Sequence, residues 1–238
     1  MKLSPIILMI LLGLLIISPV VSNLIFKNQY DQVDKADPFW NYTKLNKGVF
    51  HHISLEAGNE TLVSFIPGPH GSIGVLNSWE QTMADRIQTR ISQDTLFVKI
   101  WQQWDPPGIR NWMKSHELIS VSCPNLYSVA ATNASLHLYK MKEKNMSLRL
   151  GGRSELELES DIPGFDSLSI SQSDSSRLKF EMTEDLPVSG VMYAKAINAD
   201  VQGYSLLDIG HFKIQNLRQS IGDSAAIILS GYSLSRIK

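Results

Sequence analysis

The chain has 238 residues, 43% of them hydrophobic and 19% charged, which suits one folded domain with little extended disorder. Its formal net charge is −1 and it contains no run of basic residues, so charge gives no basis for binding nucleic acid or an acidic membrane surface. The single cysteine, Cys123, excludes an internal disulfide and a thiolate metal cluster, and its apolar surroundings predict a buried, unreactive side chain.

The N-terminus is an apolar segment that begins after Lys2 and meets no further charge until Lys27. This pattern predicts export from the cytoplasm. Val20 and Ser22 form a small-residue pair that would suit signal-peptide cleavage near Ser22, which would leave a secreted domain. However, residues 6–26 together reach the roughly 20 residues that a bilayer core requires, so we favour an uncleaved membrane anchor.

These features divide the chain into three predicted parts. Residues 1–26 are a signal anchor or signal peptide, residues 27–48 are a tether with mixed acidic and basic residues, and residues 49–238 are the folded domain. We expect the folded domain to lie outside the cytoplasm in either case, because the export signal precedes it.

The first part of the folded domain is predicted to contain short strands. The apolar-rich runs Val49–Leu55 and Thr61–Ile66 lie on either side of an Ala-Gly-Asn turn signal at 57–59. The segment Arg86–Ile91 shows both helical and alternating apolar spacing. We predict a strand there, because it would pair with the strand-like segment Leu96–Ile100.

Two loops are predicted in this region. The Pro-Gly-Pro-His-Gly segment at 67–71 suits neither a strand nor a helix interior, so we expect it to be exposed. The segment 102–114 is a long irregular loop that contains Trp104 and Trp112. The two rings would either form a platform for a sugar or a partner protein, or cover an open end of the fold. We favour the covering role, because unpaired strand edges must be capped.

The second half of the chain contains five windows in which apolar residues recur at the same positions. Each window ends on an apolar, variable, apolar triplet, and a small polar corner precedes each triplet. The windows begin at Leu126, Met146, Leu168, Ile197 and Leu217. The triplets are Leu136-His137-Leu138, Leu156-Glu157-Leu158, Leu178-Lys179-Phe180, Leu207-Asp208-Ile209 and Ile227-Ile228-Leu229. The corners are Thr132-Asn133-Ala134, Gly152-Arg153-Ser154, Asp174-Ser175-Ser176, Gly203-Tyr204-Ser205 and Asp223-Ser224-Ala225.

The spacing of the windows predicts the fold class. Their starts are 20 to 29 residues apart, which is the range of one turn of a solenoid, and the alternation inside each window indicates strands. A strand this short buries its apolar face only if the next turn stacks on it, about 4.8 Å away. The sequence therefore predicts an all-β parallel β-helix, or solenoid, of short coils that follows an N-terminal hydrophobic helix. Its corners require φ > 0 or a side chain that bonds nearby backbone.

The same stretch resembles a known family. Pro124-Asn125-Leu126, the segment Met146–Leu156 and the closing segment Leu229–Leu234 are similar to the auto-transporter adhesin head GIN domain family. The resemblance covers approximately Val49 to Lys238 and implies a right-handed β-helix on a bacterial cell surface. The chain departs from the family in its Asp-Ser-Ser and Asp-Ser-Ala corners and in the Trp/Pro-rich insertion. The family name implies adhesion by association only.

The histidines give no sign of a metal site or a catalytic site. His51 and His52 are neighbours, and neighbours in a strand point to opposite faces, so they are not expected to bind one ion together. His137 and His211 each stand alone in the sequence. The chain also lacks the nucleophile-elbow, zinc-helix and phosphate-loop motifs. We therefore predict no catalytic, cofactor-binding or metal-binding residues and no cofactor.

Opposite charges are predicted to face each other between successive coils. Stacking puts Glu155 against Arg177, and Glu157 against Lys179 with Asp208 next. This arrangement would suit a catalytic or saccharide-binding wall, as in β-helix polysaccharide lyases. It would equally suit cross-strand ion pairs that fix the register, and we favour that structural role because the signs alternate.

Three functions remain compatible with the sequence. The first is a non-enzymatic, exported cell-envelope protein, which binds an unknown protein or glycan at the cell surface through an adhesin-like domain. The second is a carbohydrate-active enzyme of β-helix type, and the third is an envelope scaffold. We favour the first, with the membrane contacted only through the N-terminal hydrophobic segment and with no nucleic-acid partner.

Overall fold

The chain is mostly β, with 58% of its residues in strands and one N-terminal helix. The computed structural model describes residues 3–34, 37, 39–56, 62–80, 84–101, 117–161, 164–182, 192–210 and 212–230. It divides into two compact units, Met1–Trp40 and Asn41–Lys238. The predicted Trp104 and Trp112 loop, the 57–59 turn and His211 lie outside the described residues.

The first unit contains the helix α1, Leu3–Asp31. Within it, Leu11–Asp31 is long and apolar enough to cross a membrane, by length and composition, and a signal sequence meets the same test. The helix extends beyond the predicted anchor at residue 26 into the segment predicted as a tether. The last part of that segment forms the strand β1, Tyr42–Lys47, in the second unit.

The second unit contains seventeen described strands. After β1, the early strands are β2 His52–Glu56, β3 Leu62–Phe65, β4 Ser72–Leu76, β5 Ile87–Ser92, β6 Thr95–Ile100 and β7 Glu117–Ser122, with short 3-10 turns at Asn77–Trp79 and Ala84–Arg86. The later strands are β8 Ser128–Thr132, β9 Ser135–Met141, β10 Asn145–Gly151, β11 Glu155–Ser160, β12 Gly164–Gln172, β13 Arg177–Met182, β14 Met192–Val201, β15 Leu206–Gly210, β16 Phe212–Ile221 and β17 Ala226–Leu229.

These strands form two mixed sheets. The nine-stranded sheet has the order β1-β4-β7-β3-β9-β11-β13-β15-β17, and the eight-stranded sheet has the order β16-β14-β12-β10-β8-β2-β6-β5. From β8 onward the chain alternates between the sheets, and all neighbours pair in parallel. Antiparallel pairs join β1 to β4, β4 to β7 and β5 to β6. The expected all-parallel arrangement is therefore met only in part.

The core lies between the two sheets and contains the predicted apolar columns. Leu156 pairs with Leu136 on one side and Leu178 on the other, and the column continues through Leu207 to Ile227. The first four of these leucines are almost fully buried. Successive residues of a strand point to opposite faces, so the residues on either side of each buried leucine face outward. The predicted stacking of Leu156, Leu178 and Leu207 is confirmed.

The predicted register is wrong in two places. In the first window Leu126 does not start the strand, and Val129, not Ser128, pairs with Leu148. Leu126 is instead buried, and its N–H donates to Oε1 of the buried Glu143 at 3.0 Å. In the last window Gly210, not Ile209, pairs with Leu229, because the register shifts there.

The corners fit the predicted need for unusual backbone. Four of the five contain a residue with positive φ: Asn133, Gly152, Asp174 and Gly203. The corners also bond to each other, since the N–H of Gly152 donates to Oδ2 of Asp174 at 2.9 Å. Each turn of the chain is therefore held at its bend as well as along its strands.

The strands β2, β3, β5 and β6 match predicted segments, whereas β1 lies in the predicted tether and β7 was not predicted. β5 and β6 pair with each other, as predicted, and the pairing is antiparallel. β2 and β3 lie in different sheets, and β4 has no counterpart in the predicted elements. Of the loop predicted to be exposed, Pro69 and His70 are exposed, whereas Gly71 is buried. An added Cβ at Gly71 would lie 1.8 Å from the backbone oxygen of Gly48, so only glycine fits there.

Candidate binding face

The outer face of the eight-stranded sheet presents small polar side chains in straight columns. Register places Ser128, Ser147, Ser169, Asn198 and Arg218 in one column. The neighbouring column contains Ala130, Arg149, Ser171, Asp200 and Ser220. We call these ten residues the polar wall. Because neighbouring strands lie about 4.8 Å apart, the first column repeats a polar group at that interval across five strands, and the second does so across the four strands from β10 to β16.

Four hydrogen-bonding side chains of the wall are available to a ligand. Among the residues that the structure describes, the side chains of Ser147, Ser169, Ser171 and Asn198 have no hydrogen-bond partner. Short side chains also leave the surface flat, except for a shallow groove. The groove runs between the two columns, has a volume of about 390 Å³, and is lined by Ser169, Ser171, Asn198, Asp200, Arg218 and Ser220 among others.

The first column continues past Ser128 to a histidine cluster. His52 Nδ1 and Ser128 Oγ are 2.7 Å apart, and His52 Nε2 lies 3.8 Å from Oδ2 of Asp94. His51 Nδ1 lies 2.8 Å from Oδ1 of the same carboxylate. The ring of His51 stacks on Tyr127, with centroids 5.3 Å apart. The cluster adds imidazole and phenol groups to one end of the wall.

The argument that separated His51 from His52 is wrong. β2 starts at His52, so His51 lies in the preceding bend and the alternation of a strand does not apply to it. The backbone N–H groups of both histidines donate to the carbonyl of Asp94, at 3.0 and 3.2 Å. Both rings therefore approach one carboxylate. In the described part of the chain, no three His, Cys, Asp or Glu side chains are arranged to hold a metal ion.

The predicted charge columns lie on the opposite face, in the nine-stranded sheet. Glu155 pairs with Arg177, and Lys179 pairs with Glu157 and Asp208, in the predicted register. The direct ion pair of Lys179 is nevertheless with Glu181 on its own strand. Its hydrogen bond to Glu181 raises the pKa of Lys179, with smaller contributions from Glu157 and Asp208. The ion pair therefore runs along one strand, and the favoured role of these charges as cross-strand ion pairs stays a prediction.

His137 stands alone in the sequence, but in the structure it contacts two other side chains. Its ring stacks on Tyr139 with centroids 3.7 Å apart, and its Nε2 atom is buried 3.8 Å from Oε2 of Glu159. The hydroxyl of Tyr139 donates to Oε1 of Glu117. Burial, and then this hydrogen bond, raise the pKa of Tyr139. The two-residue spacing of His137 and Tyr139 on a predicted strand was the signal for this pair.

Cys123 has the predicted structural role. It is fully buried, and its thiol donates to the carbonyl of Asn125 at 3.1 Å. Burial raises the pKa of the Cys123 thiol to about 12, with a smaller contribution from Glu143. The thiol is therefore protonated at neutral pH and is a poor nucleophile.

Comparisons with known proteins identify similar solved structures but no family. Neither a protein-family model nor a curated protein matches this sequence, so the GIN-domain resemblance stays a prediction. A "putative adhesin" of Bacteroides fragilis NCTC 9343 is similar at 12% identity and a TM-score of 0.40, over 78% of this chain and 94% of that one. A "putative adhesin" of Parabacteroides distasonis ATCC 8503 is similar at 9% identity and a TM-score of 0.38, over 79% and 96%.

A third similar structure has a different name. It is a "putative lipid binding protein" of Parabacteroides distasonis ATCC 8503, with 12% identity and a TM-score of 0.36, over 78% of this chain and 94% of that one. None of the three is named as an enzyme.

Proposed function

We propose that this chain is an exported, membrane-anchored envelope protein that binds an extended polysaccharide on its polar wall and does not react with it. The observation that carries the proposal is the column of Ser147, Ser169 and Asn198. These side chains repeat in register on neighbouring strands, and within the described residues they have no hydrogen-bond partner. Hydroxyl and amide groups both donate and accept hydrogen bonds, as the hydroxyls of a sugar do.

The shape of the face also favours a long polymer over a small molecule. Small-molecule sites are concave and mostly apolar, whereas this wall is flat and polar. The polar groups repeat about every 4.8 Å along the direction in which strands stack. A linear polymer that crosses the strands would meet an equivalent group at each strand, and many weak contacts would add up along its length.

We further propose that β8 to β17 form a right-handed solenoid of short coils. The support is the alternation of consecutive strands between the two sheets, with parallel pairing throughout this part. In such a solenoid the wall is one continuous side of the coils. The length of the polar wall then depends on the number of coils.

The proposed location rests on α1. An apolar stretch long enough to cross a bilayer would hold the chain at the membrane, with the strands outside the cytoplasm. Membrane fractionation of the expressed chain, with mass spectrometry of its N-terminus, tests this point. A mature protein that starts near residue 23 would show that the segment is removed and would replace the anchor with secretion.

The binding proposal is tested by obstructing the wall. The double variant Ser147→Tyr and Ser169→Tyr puts two bulky rings on the exposed face, where tyrosine is compatible with a strand. Glu157→Tyr is the control, because it also puts a tyrosine ring at an exposed strand position, but on the opposite face. We expect the wall variant to fold normally by circular dichroism and to lose binding to purified envelope polysaccharide, while the control binds as the unmodified chain does.

Three results would contradict the proposal. Equal binding by the wall variant and the unmodified chain would exclude the wall as the binding face. Release of new reducing ends from the polysaccharide, abolished by Glu157→Gln, would instead favour the enzymatic alternative. Capture of an envelope protein in place of polysaccharide would assign the wall to a different class of ligand.

A further inference from the structure

The outer face of the eight-stranded sheet and the β9–β15 part of the opposite face carry opposite charge, which the net charge of −1 conceals. Strand residues on the outer face of the eight-stranded sheet include the cations Arg90, Lys99, Arg149, Lys195, Lys213 and Arg218 and the carboxylates Glu56, Asp166 and Asp200. Between β9 and β15, the nine-stranded sheet presents the carboxylates Glu155, Glu157, Glu159, Glu181 and Asp208 and the cations Lys140, Arg177 and Lys179. The face with the polar wall is therefore basic, and the β9–β15 part of the opposite face is acidic.

Some of the cations on the basic face are already paired. Lys99 Nζ lies 3.0 Å from Oε1 of Glu56, and Lys195 Nζ lies 2.6 Å from Oδ1 of Asp166. By contrast, Arg90, Arg149 and Arg218 have no carboxylate partner among the described residues. These unpaired guanidinium groups therefore make this face positively charged. A guanidinium group offers a planar fork of donors that matches a carboxylate.

Arg90 is held in position for such a contact. Its guanidinium carbon lies 4.8 Å from the centroid of the Phe97 ring, a cation–π contact that restricts the side chain. The pair lies in a groove of about 560 Å³ that is also lined by Ser54, Gln88 and Lys99. An anionic group that enters this groove therefore meets a charge that is already oriented.

The three arginines lie along one path across the strands. Register places Arg90, Phe97, Ser54, Ala130 and Arg149 in a single column. Arg218 lies in the next column, three strands beyond Arg149. At about 4.8 Å for each strand, the steps are roughly 19 Å and 14 Å along the stacking direction. Small side chains occupy most positions between them, with two exceptions: the Phe97 ring beside Arg90 and the carboxylate of Asp200 near Arg218.

From this arrangement we infer that the ligand of the polar wall is an acidic polysaccharide whose carboxylates contact Arg90, Arg149 and Arg218. The inference deepens the proposed function and rests on it. A linear polyuronate combines the hydroxyls that suit the serine and asparagine column with negative charge along its length. The opposite face would repel the same polymer, so the charge pattern also orients the ligand.

Polygalacturonate and its methyl ester test this inference, because the two polymers share a backbone and differ in charge. The full chain in detergent micelles is titrated with each polymer by biolayer interferometry at low and high salt. The test variant is Arg90→Gln, Arg149→Gln and Arg218→Gln together. The matched control is Arg177→Gln with Lys179→Gln on the acidic face.

We expect the unmodified chain to bind polygalacturonate about tenfold more tightly than the ester, since each of three exposed ion pairs contributes a factor of roughly two. Added salt should reduce the difference. The triple variant should bind both polymers with similar, weak affinity, and the control should behave as the unmodified chain does. Circular dichroism establishes that each variant is folded.

Several results would overturn the inference. Equal binding of the two polymers, or a triple variant that keeps the preference for charge, would remove the arginines from recognition while leaving the proposed function in place. Duplex DNA bound as tightly as polygalacturonate would indicate a general affinity for polyanions and not for a sugar. Binding of neither polymer, with envelope polysaccharide also unbound, would end both proposals.

Discussion

Ser176 and Ser205 occupy the ends of consecutive corners, 29 residues apart in the chain, and their buried Oγ atoms lie 3.2 Å from each other. Ser154, in the corner before them, is equally buried, and its Oγ donates to the carbonyl of Gly151 at 2.6 Å. Polar groups in a dry interior must be paired, so Ser176 and Ser205 join two consecutive turns of the chain, while Ser154 closes its own corner. The corners therefore contribute specific hydrogen bonds to an otherwise apolar core.

The serine pair predicts coupled mutational effects. Ser205→Ala and Ser176→Ala should each lower the free energy of unfolding by about 1 to 3 kcal/mol, because each leaves a buried hydroxyl with fewer partners. The double variant should cost less than the sum of the single changes, since the pair is lost only once. Urea unfolding followed by tryptophan fluorescence measures all three. Strictly additive losses would show that the two hydroxyls do not interact.

Gly203 is predicted to be irreplaceable at its corner. Its φ is +68°, and an added Cβ would lie 2.5 Å from the backbone oxygen of Asp174. Gly203→Ala should therefore cost about 2 to 4 kcal/mol, from backbone strain and displacement of the neighbouring corner. Gly210→Ala is the matched control: its φ is +58°, but the nearest atom to its Cβ would be 3.8 Å away. If Gly210→Ala lowers the free energy of unfolding as much as Gly203→Ala does, the loss comes from the positive φ alone and not from the contact with Asp174.

The Leu178 position tests the apolar column. Leu178 is almost fully buried between Leu156 and Leu207, so Leu178→Ala should leave a cavity and cost about 2 to 5 kcal/mol. Arg177→Ala, on the exposed face of the same strand, should change stability by no more than about 0.5 kcal/mol. Similar urea midpoints for the two variants would contradict the assignment of an inner and an outer face.

Tyr139 predicts a loss of stability at alkaline pH. Burial and the bond to Glu117 raise the pKa of Tyr139 in the folded chain, whereas an unfolded tyrosine ionises near pH 10. The stabilisation that Tyr139 gives the folded chain is therefore fully present below about pH 10. It is lost as the pH rises from there toward the pKa of Tyr139 in the folded chain. Tyr139→Phe should reduce the fall in unfolding free energy between about pH 9 and 11. Tyr204→Phe, at an exposed corner, should leave that fall unchanged.

The repeated half of the fold was predictable because its pattern is local. Each window carries its own alternation and its own corner, so Leu156, Leu178 and Leu207 could be aligned without knowledge of the rest of the chain. The error at Leu126 has a different origin. There a buried carboxylate, Glu143, receives the backbone N–H of Leu126 and shifts where the strand begins, and a tertiary contact of this kind leaves no trace in the spacing of apolar residues.

The early strands were harder to predict because their partners are distant. β1 and β4 pair antiparallel with each other, and β7 lies between β4 and β3, so contacts there skip along the sequence. The candidate face was only partly visible for a related reason. The alignment of the windows determines which residues stack together, whereas the approach of His51 and His52 to one carboxylate depends on a bend in the chain and on the β5–β6 hairpin.

From β10 onward, every strand pairs only with the strand two before it and, where there is one, the strand two after it. A gene duplication that inserted one whole pair of strands would therefore preserve every existing contact except at the point of insertion. Homologous proteins of different lengths would be expected to differ by whole units of this kind, and each added unit would extend the ligand's footprint without any redesign of the interior.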